Sequence, residues 1–355
     1  VLLLFFYKRM AELKPLFSLF IQERVDEYRL DGARNYLVAP TERIDLSKLA
    51  ATRTSAVKGS GINDEWRLKI AEWSFEVVDH FFFDREVVAI ALNYIDRFMV
   101  FDNDKHDGSE PVGKKEYQLL TLTSLYLAIK LHGDPSEAIK AGTRPSLRVF
   151  VDLSQNRFTG GDIEKMELKL LKSLKWRVNP PMSISFVKCL LEYLPSWHTR
   201  DGLPNSCQRM KCAIYEMARY LTEISVCTSA FCFRFKPSLI AYAAILASMD
   251  VLEGNASLSN VFPPYQALLD FFHTVFKETA LAPKMEEIFE ARTMLIEMCP
   301  KISSSETSTN ATQGSSNHMA VHGNTQDTLT QNYNRRDDAA SPTEVISAFH
   351  DELAR

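Results

Sequence analysis

The sequence contains no Gly-rich phosphate loop, no HExxH zinc helix, no calcium-loop pattern, no nucleophile elbow and no kinase signature. No catalytic constellation is visible, so the chain is not expected to be an enzyme. It also lacks any CxxC pair. Its six cysteines, Cys189, Cys207, Cys212, Cys227, Cys232 and Cys299, all lie in the second half, four of them inside apolar or amphipathic runs. Buried free thiols are expected, and a disulfide scaffold is not. His80, His132 and His273 stand alone, with no Cys or Asp partner at ligand spacing, so neither a metal nor a cofactor is expected. The acid pairs Asp64-Glu65 and Glu286-Glu287 read as solvated helix faces rather than a converging catalytic pair.

A basic excess is missing too. The formal net charge is -4 and the isoelectric point is near 6.1. This argues against a general nucleic-acid binder, and no direct nucleic-acid contact is expected. Charges interrupt every apolar run before it reaches bilayer length, so no membrane segment is expected. The opening VLLLFFYKR is short and has neither a preceding basic stretch nor a small-residue cleavage site. The sequence does not begin with Met, and Met10 is a candidate start.

What is present is material for helices. With 355 residues, 46% of them hydrophobic and 24% charged, the chain can bury two ordinary cores. A first helix is expected over about Leu13 to Arg29, then a less periodic stretch to about Asn63. From Asp64, Trp66, Ile70, Trp73, Val77 and Phe81 recur at three- and four-residue steps, one face of a helix. Asp84 has the character of an N-cap for the next helix. A loop is expected from Asp102 to Gly113, then an almost wholly apolar helix, YQLLTLTSLYLAIKL. A looser segment spans Asp134 to Asn156. Thr159 and Asp162 form a capping-box pattern opening DIEKMELKLLKSLKW. Pro180 and Pro181 break the chain before ISFVKCLLEYL. That gives five helices of similar size between Asp64 and Leu194, with no alternating strand pattern. Further helices are expected over Asn205 to Thr222, from Pro237, over Tyr265 to Phe276 and over Lys284 to Met298. From about Lys301 the Ser-, Thr-, Asn- and Gln-rich sequence reads as disordered, with a short transient helix over Val345 to Leu353. The fold class is all-α, in the order 10–63 helix and linker, 64–180 first fold, 181–300 second fold, 301–355 tail.

Six charged residues lie inside runs that would otherwise be core: Arg67, Glu72, Asp96, Arg97, Lys130 and Glu167. Burying a charge is costly unless it is paired. Either they form an internal network that fixes helix packing, or they mark the rim of a protein interface. For Arg67 and Asp96 the internal network is weighed first. For Lys130 and Glu167, at the exits of apolar runs, the two readings balance.

The same residues resemble the cyclin family. EWRLKIAEW is similar to the family's first-helix motif through Arg67, Glu72 and Trp73. NYIDRFM resembles its LLDRFL-type motif through Asp96, Arg97 and Phe98. LTSLYLAIKLHG resembles the segment ending AxKYEE, with Lys130 on the family Lys and His132-Gly133 where two acids usually follow. FTGGDIEKMELKLLKSLKWRVNPPMSISFV matches most closely, with Glu167 on the family Glu. FKPSLIAYAAILAS resembles the opening of a second such fold. The resemblance covers about Leu13 to Met298 and implies two tandem five-helix folds of the kind found in A-, B- and D-type cell-cycle members.

The resemblance implies a regulatory subunit that binds and activates a cyclin-dependent protein kinase, with Lys130 and Glu167 as the kinase-contacting pair. It also implies a docking patch for substrate or inhibitor peptides at Trp66, Ile70, Trp73 and Gln118, weakened by Lys69 in place of an aliphatic residue. The Asp134 to Ser146 loop is longer than the family pattern. Ser341, before Pro342, is a proline-directed phosphorylation candidate. Nuclear and cytoplasmic residence is implied only by the resemblance, because Lys8-Arg9, Lys114-Lys115 and Arg335-Arg336 are too small for import signals. The alternatives are a kinase-independent scaffold and a transcription-factor-IIB-like interaction protein.

Overall fold

The computed structural model describes residues 64–104, 112–133, 146–194, 206–253, 269–272, 274 and 285–299, together with 15, 16, 18–20, 22 and 23. The end of the expected Leu13 to Arg29 helix with the stretch that follows it to residue 63, most of the Asp134 to Ser146 loop, and the tail with Ser341 and the Val345 to Leu353 segment lie outside the described residues. Among the described residues the structure is entirely helical.

The first fold begins with α1 (Asp64–His80), whose Asp64 and Glu65 complement the positive end of the helix and whose Ile70, Phe75, Val77 and Val78 face inward. The side chain of Asp84 accepts the Glu86 N–H at 2.8 Å and opens α2 (Glu86–Asp104). That helix continues through Asp102, where a loop was expected; helix ends are the boundary that periodicity fixes least. Helix α3 (Lys114–His132) packs against α2 on one side and a later helix on the other, so it buries residues around its circumference, including Tyr117, Leu120, Leu125 and Ala128.

Within the segment read as loose, residues form α4 (Leu147–Leu153), with Phe150 fully buried against the Tyr126 ring at 5.1 Å. Its N-cap Ser146 makes no capping bond, and its seven residues are too few to show a period. Tertiary burial holds this helix, a signal absent from local sequence. It supplies the fifth helix before Pro180. Helix α5 (Gly160–Ser173) has the expected capping box between Thr159 and Asp162.

Among the described helices the second fold has α6 (Ser183–Tyr193), α7 (Ser206–Val226), α8 (Ser229–Arg234), α9 (Pro237–Glu253) and α10 (Met285–Met298), and residues 269–272, within the expected Tyr265 to Phe276 helix, are helical. Pro237 occupies the first turn of α9, where its missing N–H costs nothing. Ala241, Ala243, Ala244 and Ala247 are fully buried, letting α7 and α10 approach the central helix closely. The six-residue α8 was not anticipated; Phe231, wholly buried beside Phe235, anchors it.

Side chains join the two folds. Arg85 donates to Glu223 at 2.8 Å, and Glu86 accepts from Ser185 at 2.8 Å and Lys188 at 3.1 Å. The described helical residues before the first fold bind the second. Phe20 packs 5.1 Å from Phe186, and Glu23 accepts both the N–H and the hydroxyl of Ser238 at 2.7 Å. This carboxylate meets the open N–H groups that begin α9.

Candidate functional site: an ion pair and a groove on the first fold

Helix α3 carries Lys130 in its last turn and α5 carries Glu167 in its middle, and the packing of the two helices brings them together. Lys130 Nζ donates to Glu167 Oε1 at 2.9 Å. The Lys130 side chain is 50% exposed and that of Glu167 15%. The hydrogen bond to Glu167 raises the Lys130 pKa, and the ammonium also lies 5.6 Å from the Tyr126 ring centroid. Lys130 is half open to solvent while Glu167 is largely covered, so the ammonium is the accessible member of the pair.

The same two helices, and the turn after α5, also carry exposed apolar side chains. Leu131 follows Lys130, Leu168 follows Glu167, and Trp176, 65% exposed, stands just past the end of α5. Lys175 and Trp176 both take positive φ, 53° and 60°, and the Trp176 N–H closes onto the Leu171 carbonyl at 3.0 Å. Three side chains fix this turn. Arg97 donates to the carbonyls of Arg177 at 2.8 Å and Leu174 at 3.1 Å. Tyr94 donates its hydroxyl to the Val178 carbonyl, and His132 Nε2 reaches the same oxygen at 2.7 Å. The result is a large aromatic side chain held outward on a pinned backbone. Sequence reasoning missed Trp176, Leu131 and Leu168. An apolar residue in a helical run is read as core by default, and only the fold shows which ones face solvent.

His132 and Gly133, the departure from the family pattern, have a packing explanation. His132 ties α3 to the Val178 backbone. A Cβ on Gly133 would lie 2.7 Å from the Ile129 carbonyl oxygen and 2.8 Å from the Phe83 ring. The Gly133 φ is -68°, so close approach and not backbone freedom excludes a side chain here.

Trp66, Ile70, Trp73 and Gln118 line one groove of about 560 Å³, between α1, α3 and the turn after α4. Lys69 also lines it, and its ammonium pairs with Glu65 at 2.8 Å. Lys114 sits 5.6 Å from the Trp66 ring centroid. Trp73 is half-buried and serves both core and groove wall.

Of the other four charged residues, Arg67, Glu72, Asp96 and Arg97, only Arg67 and Asp96 pair with each other. Arg67 and Asp96 form a buried bidentate pair, with the second contact at 3.0 Å. Arg67 Nε further donates to the Val226 carbonyl at 2.9 Å, and Nη2 lies 3.1 Å from Cys232 Sγ. Burial works against the Arg67 charge, yet the Asp96 carboxylate holds its pKa above the ordinary guanidinium value. Arg97 caps α5 instead of joining this pair. Glu72 is exposed on the outer face of α1 and stands outside the pair, because the helical period turns it away from the core. All six cysteines are free: Cys299 is buried, Cys212 exposed and the others half-buried, so the expectation of buried thiols is met fully only at Cys299.

Among the described residues the structure is an all-helical protein of two tandem folds. The family model for the N-terminal domain of cyclins matches residues 42–179, and the model for the cyclin C-terminal domain matches residues 181–323. The chain belongs to the cyclin family. It is 27% identical over 290 residues to Cyclin-D2-2 of Oryza sativa subsp. japonica, covering 78% of this chain and 74% of that one. It is 24% identical over 234 residues to G2/mitotic-specific cyclin-B of Patella vulgata, covering 63% of this chain and 50% of the relative. The X-ray structure of a viral cyclin from herpesvirus saimiri aligns over 67% of this chain and 87% of its own at 15% identity, with a TM-score of 0.45.

Proposed function

We propose that this chain is the non-catalytic regulatory subunit of a cyclin-dependent serine/threonine kinase and activates it in cell-cycle progression. The observation that carries the reading is the Lys130–Glu167 pair, which joins α3 to α5 with the Lys130 side chain half-exposed, on helices that also carry outward-facing apolar residues. Charge-assisted bonds from the pair fix the register of a partner helix, while Trp176, Leu131 and Leu168 supply apolar contact. A kinase of this type rests with its αC helix displaced and its Lys–Glu pair broken. A rigid surface that binds the inward αC position better than the outward one shifts that equilibrium, and phosphoryl transfer then proceeds on the kinase. The cyclin contributes binding energy and no reacting group. The groove at Trp66, Ile70, Trp73 and Gln118 presents peptide segments of substrates or inhibitors to the assembled pair.

The test is affinity capture of the full chain from its source lysate, followed by a histone-type kinase assay. Capture of kinase activity by the wild type, and its loss in the folded Lys130→Ala plus Glu167→Ala variant, is the expected result. A folded wild-type chain that retains no kinase at any cell-cycle stage removes the activator reading and leaves a kinase-independent scaffold. Trp176→Ala is expected to weaken the complex by about 2 kcal/mol, roughly thirtyfold in Kd, measured by titration against the captured kinase.

A further inference from the structure

One helix of the second fold is apolar on its outer side as well as its inner one. The inner side of α10 is buried through Ile288, Ala291, Met294 and Leu295. On the outer side Met285 is 65% exposed, Phe289 67% and Ile296 36%, and the helical period sets the three in one row. Phe289 and Ile296 lie two turns apart, about 10 Å. The charged residues that flank the row are tied to neighbouring helices: Glu290 pairs with Arg234 at 2.5 Å, and Arg292 holds the Asp250 carboxylate through two nitrogens. An exposed apolar row on a helix already packed through its other face marks a contact site.

The same chain carries a matching segment. Ser341-Pro342-Thr343-Glu344 has the pattern of a capping box with Pro at the first helical position. Val345, Ile346, Phe349 and Leu353 follow at helical spacing, one apolar face of a short helix. From Lys301 to Glu344 no comparable row occurs. A helix this short is marginal alone in water and forms where a surface holds it. We propose that segment 342–354 folds as a helix onto Met285, Phe289 and Ile296 of α10, so that the chain covers this face itself. Size selects this occupant. Three side chains on a helix of 14 residues fall well short of the roughly 1,200–2,000 Å² that an untethered partner or a second copy needs. A tethered segment needs far less. The roughly 45 residues that join α10 to Val345 span about 35–40 Å as a flexible chain, against about 21 Å for α10 itself. They hold the segment near the face at an effective concentration on the order of 1 mM. Charge agrees with the pairing. Val345, Phe349 and Glu352 repeat the four-then-three step of Met285, Phe289 and Arg292, so a parallel alignment sets a carboxylate beside the guanidinium. None of this depends on the kinase-activating reading.

The test is hydrogen–deuterium exchange with peptide resolution on the full chain. The amides of residues 345–353 are expected to exchange about tenfold more slowly than a free chain, the ratio for an untethered Kd of about 0.1 mM at that effective concentration. The protection is expected to be independent of protein concentration. Phe289→Asp and Phe349→Asp are each expected to abolish it, and Phe289→Leu to keep it. Phe289 is exposed, so its variants fold, as circular dichroism confirms. Met285→Asp, at an equally exposed position, repeats the test from a second residue. Exchange of residues 345–353 at the free-chain rate in the wild type overturns the proposal and leaves the α10 face to a partner protein. Protection that survives Phe289→Asp also overturns it, because the segment then packs elsewhere. Protection that grows with protein concentration overturns it as well and points to a second copy of the chain.

Discussion

Arg67 is fully enclosed, and its charge is met by Asp96, by a backbone carbonyl and by a thiol. Removing one member of a buried ion pair leaves an uncompensated charge, so Asp96→Ala is expected to cost about 3–5 kcal/mol in urea unfolding. The double variant Arg67→Met plus Asp96→Leu is expected to cost less than the two single changes summed, which a double-mutant cycle measures. The neighbouring thiols of Cys227 and Cys232 are pushed up by burial to about 11. A raised pKa means that the folded state holds the proton more tightly than the unfolded one. The resulting stability is complete below about pH 9 and is lost as pH rises through about 11. Thermal midpoints are expected to fall across that window, and less steeply in Cys232→Ala. At about pH 8, iodoacetamide is expected to label exposed Cys212 well before Cys232, as peptide mass analysis resolves. The Arg67–Asp96 partnership was legible in the sequence because charges inside apolar helical runs need partners. The third and fourth contacts, from residues more than 150 positions away, leave no local mark.

Helix α5 shows what local chemistry does specify. Its start is written in Thr159 and Asp162, and both halves of the box form. Thr159→Ala is expected to lower stability by about 1 kcal/mol in denaturant unfolding. The Asp162 carboxyl is held below its ordinary value by the Thr159 N–H, so the contribution of the box is present at neutral pH and is lost as the solution is acidified through that lowered value. Its C-terminal end was less legible: the left-handed pair Lys175-Trp176 has no glycine to announce it, and Arg97, Tyr94 and His132 hold it from distant positions. At the end of α3, Gly133→Ala is expected to cost about 1–3 kcal/mol by overpacking against Phe83 and the Ile129 carbonyl, seen as a lower thermal midpoint. The short helices α4 and α8 escaped the sequence because seven and six residues make too little of a period for pattern to register.

At the scale of the whole molecule, the folds are coupled by polar side chains as well as by apolar contact. Glu23 fastens the segment before the first fold to the start of α9, and Arg85 joins Glu223, whose own pKa burial raises against the pull of Arg85. Glu23→Ala leaves the Ser238 N–H buried without its acceptor. It is expected to lower stability by about 1–3 kcal/mol and to raise amide exchange at the start of α9, as hydrogen–deuterium exchange with peptide resolution measures. The all-helical class and the tandem arrangement were legible from period and resemblance. The way the folds meet was not, since periodicity reports which face of a helix is buried and not against what.

The reach of Arg67 across the two folds also has a meaning in time. Its guanidinium is made early, but the Val226 carbonyl that completes its shell lies 159 residues later in the chain. A ribosome adding about 5–20 residues per second delivers that carbonyl roughly 10–30 s after Arg67. For that interval the centre of the first fold waits, half-satisfied, for a group that the second has yet to provide.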